Sequence, residues 1–491
     1  MALGPPAPGA AEVRAYTQTI PGPLSGASPL SALRVQNGQI VDRQGAAVLL
    51  RGVNVTSLVA YSPAHPEATP LLAGQMRLIA AMGFNFIRLP LSLSALEPQP
   101  GVISTAYLAE IAQVLNRAEA QGVYVLLDLH QDRYAAGLFP GESDGMPSYM
   151  VNTLGLGQKP ILLGMTDPAV QGAFTAFWKN LPVDGRPMQD WYLIGLTALA
   201  RTFARSPAVA GYDVMNEPNP GLLLTGRFVS HNLLPFYAKA VKNIRAVSPT
   251  QPIFLEPDVV SMALGDPLWP KKEAAFVREG VVFEPHLYAP NAIVRAGHVF
   301  NVEGARRALA KGTLGLLAAE AARQAHHLGV PWLVGEYGAP QGRLGNAQIA
   351  ENVSLADRYA VGSAYWLWSI LPHTYDWNLV SPSGALDAPA SRLALVSSPY
   401  PAVIGGKLER LRYDPGTQVL ALSAALKQTD GPTVLVWTSL AYPHGAVLHA
   451  SRPYRLLISS DADGSATITR FQALFAPAQG TLTATLSPSP S

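Results

Sequence analysis

Two glutamates raise the first chemical question. Glu217 stands beside Asn216 at the end of an apolar run in GYDVMNEPNPG, and Glu336 closes another in LVGEYGAP. Two carboxyl groups facing each other across a cleft can break a glycosidic bond. One protonates the leaving oxygen as a carboxylic acid, and the other attacks the anomeric carbon as a carboxylate. The Asn216 amide could hold a sugar 2-hydroxyl in a bond that strengthens in the transition state. Arg88, in FNFIRLP, is the cation expected to keep Glu336 ionised, and His286 and Tyr288, in EPHLY, are placed to hydrogen-bond the pair and hold their pKa values apart. His130 and Asp132 stand at another run's end, and Trp366 and Trp368 at a last one. Taken singly, each has an ordinary explanation as a surface carboxylate, a satisfied core histidine or a core tryptophan. Glu256 is read in that ordinary way, as a structural hydrogen-bond partner. The weight lies in the set, because its members fall on successive apolar runs in order.

Those runs must be strands of one sheet if their ends are to converge. AVLLRGVN, FNFIRLP, VYVLLDLH, VAGYDVMNE, PIFLEP, VVFEPHLY, PWLVGEY and GSAYWLWS alternate with amphipathic stretches such as TAYLAEIAQVLNRAEAQG, ending on Gly122, and EGARRALAKGTLGLLAAEAARQAHHLG, ending on Gly329. Eight β-α units predict an α/β fold, a (β/α)8 TIM barrel whose C-terminal strand ends carry the site. An open doubly wound sheet is the alternative, weakened by the missing Gly-rich turn after the first strand. LRVQNGQIVDRQGAAVLL predicts a small hairpin capping the barrel. After about residue 405 short strands separated by Gly, Pro and Asp turns predict an antiparallel β-sandwich. The expected divisions are a flexible segment 1–29, the barrel with its hairpin at 30–404 and the sandwich at 405–491, with the closing LSPSPS a loose end.

Composition narrows the partners. With 35 basic and 33 acidic residues and a net charge of +2, nothing points to nucleic acid. Charged residues are only 14% of the chain and the mean hydropathy is +0.16, which fits an Ala- and Leu-rich interior or a surface that meets lipid. The absence of cysteine excludes disulfides, thiolate metal sites and a cysteine nucleophile. No uninterrupted apolar run reaches the ~18 residues of a membrane helix. The opening MALGPPAPGAAEVRAYTQ lacks the basic region and apolar core of a signal peptide. His130 and Asp132 lack a third ligand at convincing spacing, so neither metal nor cofactor is expected.

FNFIRLP, NEP, HLY, GEYG and YWLWS resemble the retaining glycoside hydrolases of family 5. More narrowly, LLDLHQDRY, DPAVQGAFTAFWKN, VAGYDVMNEPNPG, SSPYPAVIGG and AYPHGAVLHAS resemble the endoglycoceramidases, from about residue 50 into the sandwich. That resemblance implies cleavage between oligosaccharide and ceramide, with Glu217 as acid/base and Glu336 as nucleophile. It also implies that Asn216, His130, Asp132 and Trp366 contact the sugar nearest the scissile bond, and that Arg88, His286 and Tyr288 support the nucleophile. The sequence departs from the family's pattern in three places. Thr56 and Ser57 stand where a lysine is common, Tyr149 where a tryptophan is frequent, and Asn219 makes NEPNPG of the usual NEPWPG. These departures bear on the identity of the sugar chain. The insert GLLLTGRFVSHNLLPFY, beside Glu217, offers Leu222, Leu223, Leu224, Phe228, Leu233 and Leu234 as an exposed apolar floor for a lipid tail. A soluble β-glycoside or a non-catalytic carbohydrate-binding barrel are the competing readings. A monomer, secreted or periplasmic with its leader removed, is expected, with the cytoplasm as the alternative location.

Overall fold

The computed structural model of the chain describes residues 10–13, 30–59, 71–135, 138, 144–159, 164–223, 227–259, 268–289, 313–370, 376–462 and 467–490. Its centre is a parallel sheet of eight strands: β1 (Arg51–Val55), β2 (Phe86–Leu91), β3 (Tyr124–Leu129), β4 (Val209–Asp213), β5 (Ile253–Leu255), β6 (Val281–Phe283), β7 (Leu333–Tyr337) and β8 (Gly362–Trp368). Neighbours in sequence are neighbours in the sheet, β8 pairs with β1, and a parallel bridge from Phe283 to Trp332 joins β6 to β7 and closes the barrel. Every expected strand is present. Strands covered on both faces read as continuous apolar runs, which makes them legible.

The helices between them end where the sequence places their stops. The helix α1 (Thr105–Gln121) starts on Ser104, whose hydroxyl accepts from the Tyr107 amide at 3.2 Å. It ends on Gly122, left-handed at φ 68°, and Gly329, at φ 73°, follows α2 (Thr313–Leu328). The part of the second expected helix before residue 313 lies outside the described residues.

The barrel interior is layered by the two-residue period of strands. Leu50, Phe86, Leu126, Ala210, Phe254, Val282, Leu333 and Ala364 form an apolar plug, essentially one residue per strand. Two positions further along several of these strands come Arg88, Asp128, Glu256, Glu284 and Trp366, of which the four charged residues are fully buried. The next step brings His130 and His286. Charge is thus stacked on the plug at the C-terminal end of the barrel, where barrel enzymes place their sites.

The hairpin does close the other end, with Leu33, Ile40 and Val48 joining the plug. It also has a second attachment. Its strands Arg34–Gln36, Gln39–Val41 and Ala47–Val48 continue through Tyr400–Ile404 into a seven-stranded antiparallel sheet with Thr433–Thr438, Thr467–Phe475 and Arg455–Ala462. Opposite it stands a five-stranded sheet of Ala10–Val13, Ala446–Ala450, Gly480–Pro488, Val419–Leu426 and Gly406–Asp414. Together these are the expected sandwich. The loose end expected at LSPSPS is overturned as far as Pro488, which pairs with Ala446 because the last strand lies between two others. Of the segment 1–29, residues 10–13 pair with 446–449, and the rest of that expectation lies outside the described residues.

Candidate active site

Arg88, fully buried on β2, organises the floor of the bowl. Its Nη1 donates to Glu336 Oε1 at 2.7 Å and to Asn54 Oδ1 at 3.2 Å. Its Nη2 donates to Asp213 Oδ2 at 2.7 Å, Glu256 Oε1 at 2.8 Å and Asn216 Oδ1 at 2.9 Å, and its Nε donates to Asp213 Oδ2 at 3.3 Å. Asp128 Oδ2 lies 3.1 Å from Nη1, and Glu284 Oε1 lies 3.3 Å from Nε. One guanidinium therefore serves five carboxyl groups from five strands. Glu336 is the partner expected from sequence; Asn54, Asp128, Asp213, Glu256 and Glu284 are not. The available signal is strand parity, since Asp128 precedes His130 and Glu284 precedes His286 by two residues and so share their faces.

Glu217 follows β4 in a left-handed conformation, φ 41°, a strained choice for a side chain with a Cβ. The surroundings hold it there. Its amide donates to Glu256 Oε2 at 2.9 Å, and Gln131 Nε2 donates to the carbonyls of Asn216 at 2.7 Å and Glu217 at 3.1 Å. Asn216 Nδ2 returns a bond to the Gln131 carbonyl at 2.9 Å. Glu256 and Gln131 thus fix the turn that aims the glutamate. The sequence reading of Glu256 as a structural hydrogen-bond partner agrees with these bonds, although nothing in the sequence names Glu217 as the residue it positions.

The two glutamates meet at His286. His286 Nδ1 is 2.8 Å from Glu217 Oε1 and 3.6 Å from Glu336 Oε2, and one oxygen from each carboxylate and a His286 nitrogen all lie within 4.8 Å of one another. Tyr288 donates to Glu336 Oε2 at 2.8 Å. Burial works against charge throughout this group. At Glu217 it is outweighed by the His286 hydrogen bond and charge, with His130 and Arg88 behind them, and the carboxyl is held below its ordinary value. At Glu336 burial prevails over His286 and Arg88, the charge on Glu217 adds to it, and the carboxyl is raised. Burial also lowers His286, but Glu256, Glu336 and Glu217 together lift it well above the usual histidine value. These opposite shifts favour the exchangeable proton on His286, whose Nδ1 is 2.8 Å from the Glu217 oxygen. Sequence alone sets it on Glu217; neighbouring charge decides between two positions one hydrogen bond apart.

On the open side, Trp366 stacks on His130 with centroids 5.6 Å apart and planes 14° from parallel. His130 Nδ1 lies 2.8 Å from Asp128 Oδ2. Burial lowers His130, yet Asp128, Asp132 and Glu336 raise it to about 9, so it is cationic at neutral pH. Asp132 is 56% exposed in the mouth, 3.7 Å from His130 Nε2. Asn216 spends its oxygen on Arg88 and one N–H on Gln131, which leaves a second N–H for a ligand hydroxyl. Trp368, at the same strand end as Trp366, belongs instead to the core at 1% exposed.

Two of the departures are structural. Tyr149 packs edge-on against Trp191, and Asn219 buttresses the loop by accepting from the Gly221 amide at 2.9 Å and from Gln171 at 3.2 Å. Thr56 and Ser57 are buried, and their hydroxyls have no hydrogen-bond partner among the described residues.

The apolar floor needs a larger correction. Phe228, Leu233 and Leu234 are buried in the main core, where Phe228 meets Trp178 edge-on with centroids 5.1 Å apart. Leu223 is half-buried against the same core, Leu222 is 58% exposed, and Leu224 lies outside the described residues. The helical period that starts at Phe228 turns those residues inward, which a run of apolar letters does not reveal. A chelating use of the carboxyl cluster Asp213, Glu256 and Glu284, whose oxygens lie within 4.8 Å of one another, meets the obstacle that the Arg88 guanidinium already occupies the cation position against all three.

The profile of the Cellulase family, glycosyl hydrolase family 5, matches residues 41–371. The chain belongs to glycoside hydrolase family 5. It is a glycoside hydrolase, and its similarity extends past the barrel. Endoglycoceramidase I of Rhodococcus hoagii is 27% identical over 467 residues, 90% of this chain and 88% of that protein. The solved endo-glycoceramidase II of Rhodococcus sp., as a lactosyl-enzyme intermediate, is 25% identical with a TM-score of 0.74 and covers 92% of this chain and 100% of its own. An endogalactoceramidase structure is 26% identical, with a TM-score of 0.74 over 93% of this chain and 100% of that one. Among the described residues of this family 5 enzyme, no helix is long and apolar enough to cross a membrane.

Proposed function

We propose that this family 5 enzyme is a retaining endoglycosidase that cleaves the β-linkage between glycan and ceramide in glycosphingolipids. The observation that carries the mechanism is the closeness of Glu217 and Glu336. Their nearest oxygens lie within 4.8 Å, close to the ~5–5.5 Å of retaining enzymes and short of the ~6.5–9.5 Å that leaves room for a water. Glu336, held by Arg88 and Tyr288, attacks the anomeric carbon as the C–O bond to ceramide breaks. Glu217 protonates the departing oxygen with the proton that His286 Nδ1 passes across 2.8 Å. In the second half-reaction Glu217 takes a proton from water, and the water oxygen displaces Glu336 from the same carbon, so the anomer is retained. Asn216, His130, Asp132 and Trp366 are placed to hold the sugar. The similar Rhodococcus structure, a lactosyl-enzyme intermediate, supports the covalent route, and the endoglycoceramidase relatives support the substrate class.

Incubation with a panel of glycosphingolipids tests both halves of this reading. Intact glycan should be released together with free ceramide, and NMR should first detect the β-anomer. Hydrolysis of cello-oligosaccharides alone would assign the enzyme to soluble β-glycosides; an initial α-anomer would exclude the double displacement.

The lipid side is carried by fewer residues than the sequence suggests. Leu222 and a further exposed leucine, Leu156 at 36%, meet one face of the helix α3 (Pro168–Trp178). A Cβ at Gly172 would sit 3.2 Å from Leu156 Cδ1, and three residues on the Thr175 hydroxyl accepts from the Leu222 amide at 2.8 Å. An apolar rim beside Glu217 fits a ceramide leaving group. Replacing Leu156 and Leu222 together with Ser should lower turnover of a glycosylceramide by about tenfold, because a buried Leu contributes ~1.5–3 kcal/mol. An aryl glycoside should lose less than about twofold by the same measure. Equal losses on both substrates would remove the rim from the lipid site.

A further inference from the structure

We propose that Glu284, on the floor beneath the site, is held as a neutral carboxylic acid in the working enzyme, and that this leaves His286 in possession of the proton Glu217 uses. The second half of that statement rests on the proposed roles; the first stands on the geometry of the floor.

The groups converging there come from every side. Asn54 approaches from β1, Arg88 from β2, Asp128 and His130 from β3, Asp213 from β4, Glu256 from β5, Glu284 and His286 from β6, and Glu336 from β7, with Glu217 above. From the helical layer, Tyr237 donates to the Glu256 carbonyl at 2.8 Å and Tyr192 to the Val214 carbonyl at 2.6 Å. Fully ionised, this would set six carboxylates against three cations, all shielded from water except at the mouth. Charges of one sign so close in a dry interior cannot all persist.

Glu284 is a carboxyl that faces Arg88 without a hydrogen bond from it. A guanidinium has five N–H bonds. Those of Arg88 point to Asn54 and Glu336 from Nη1, to Glu256 and Asn216 from Nη2 with Asp213 sharing, and to Asp213 from Nε. None remains for Glu284, whose nearest approach to Arg88 is 3.3 Å and whose two oxygens lack any hydrogen-bond partner among the described residues. It is sealed from β7 as well, because a Cβ at Gly335 would sit 2.5 Å from Glu284 Oε1. A buried carboxylate without a donor is far costlier than a buried acid. Burial pushes the Glu284 carboxyl well above its ordinary value, with Arg88 pulling the other way and Glu256 adding to the rise.

The consequence runs through Glu256. Its Oε1 lies 3.2 Å from His286 Nε2, and Glu284 stands within 4.8 Å of the Glu256 carboxylate. A negative charge on Glu284 would draw the His286 proton towards the floor and away from Nδ1, where Glu217 waits. Glu284 is in this sense a positioning residue that acts through Glu256 and His286.

Glu284→Gln tests this directly, because glutamine copies the shape of the neutral acid and cannot ionise. A carboxyl raised in the fold contributes stability that is present below its unfolded value of about 4.3 and lost as pH rises towards the folded value. The variant should therefore match the wild type in Tm near pH 4, be the more stable of the two at pH 6, and fall less steeply in Tm from pH 4 to 9. His130, raised to about 9, contributes its own loss above about pH 6.5 equally in both proteins. The pH profile of kcat/KM should keep its alkaline limb, and the infrared C=O stretch of a protonated acid, shifted in D2O, should be present in the wild type at pH 7 and missing from the variant. An ionised Glu284 would give the opposite results: a lower Tm at pH 6, an alkaline limb moved by about a full unit, and no such band. Should the variant fail to fold, the wild-type spectrum decides, and the absence of a protonated-acid band at pH 7 overturns the proposal. The Tm slope and the band do not depend on the role of Glu217, so they separate a failure here from a failure of the assigned mechanism.

Discussion

Glu336→Ser should abolish hydrolysis, with a loss on the order of 10⁵–10⁶ in kcat. It should still join an α-glycosyl fluoride to a lipid alcohol. Under the proposed roles, the serine removes the attacking oxygen but leaves Glu217 and His286, 2.8 Å apart, able to take a proton from an acceptor. Glu217→Ala is the complementary case. Its loss should be smaller, about 10²–10⁴ on a natural substrate, because an activated aryl leaving group can depart without an acid and the covalent intermediate still forms. Azide should then restore turnover of the aryl substrate and yield a β-glycosyl azide, detectable by mass spectrometry and NMR. The roles rest on unequal surroundings, since Glu336 is held by two donors, Arg88 at 2.7 Å and Tyr288 at 2.8 Å, while Glu217 has its side-chain bond only to His286 among the described residues. Azide rescue of the Glu336 variant, with none for Glu217, would reverse them.

Arg88→Met should be the most destabilising single change in the barrel. The methionine keeps much of the side-chain bulk and removes the one guanidinium that Asp128, Asp213, Glu256, Glu284 and Glu336 share. Breaking a buried pair by deleting one partner costs ~3–5 kcal/mol, and here several partners are stranded at once. At roughly 2–4 °C per kcal/mol this is a fall in Tm of about 10 °C or more. The sign of the pH dependence follows from linkage. Without the cation, the burial that already raises Asp213, Glu284 and Glu336 is less opposed and Asp128 loses a charge that holds it down, so the folded-state values of these four carboxyls shift upward and cost more stability as the pH rises towards neutrality. The gap between variant and wild type should therefore be widest near pH 7 and narrow as the pH falls towards 5. A gap of less than about 1 kcal/mol, or one that is flat with pH, would show that the carboxyls do not depend on Arg88.

By itself the sequence determined the barrel, the sandwich and the identity of the chemical groups. Eight apolar runs, seven of them closed by Arg88, His130, Glu217, Glu256, His286, Glu336 and Trp366, can be read because a strand buried on both faces has no polar residues to spare, so the functional group at an end is conspicuous. Glycines 122 and 329 mark helix ends because the left-handed turn there suits a residue without a Cβ. Three things were decided only in three dimensions. Phe228, Leu233 and Leu234 went into the core because the helical period beginning there, and not their hydrophobicity, chose the face they present. The strand Tyr400–Ile404 bound the hairpin to the sandwich through Val48 and Val436, partners hundreds of residues and tens of residues away that no local pattern announces. Above all, the chain gives no count of how many carboxyl groups one arginine must serve. Asp128, Asp213 and Glu284 look in sequence like unrelated residues, and only the closing of the barrel brings them to one guanidinium, where distance and burial decide which carboxyl keeps a proton.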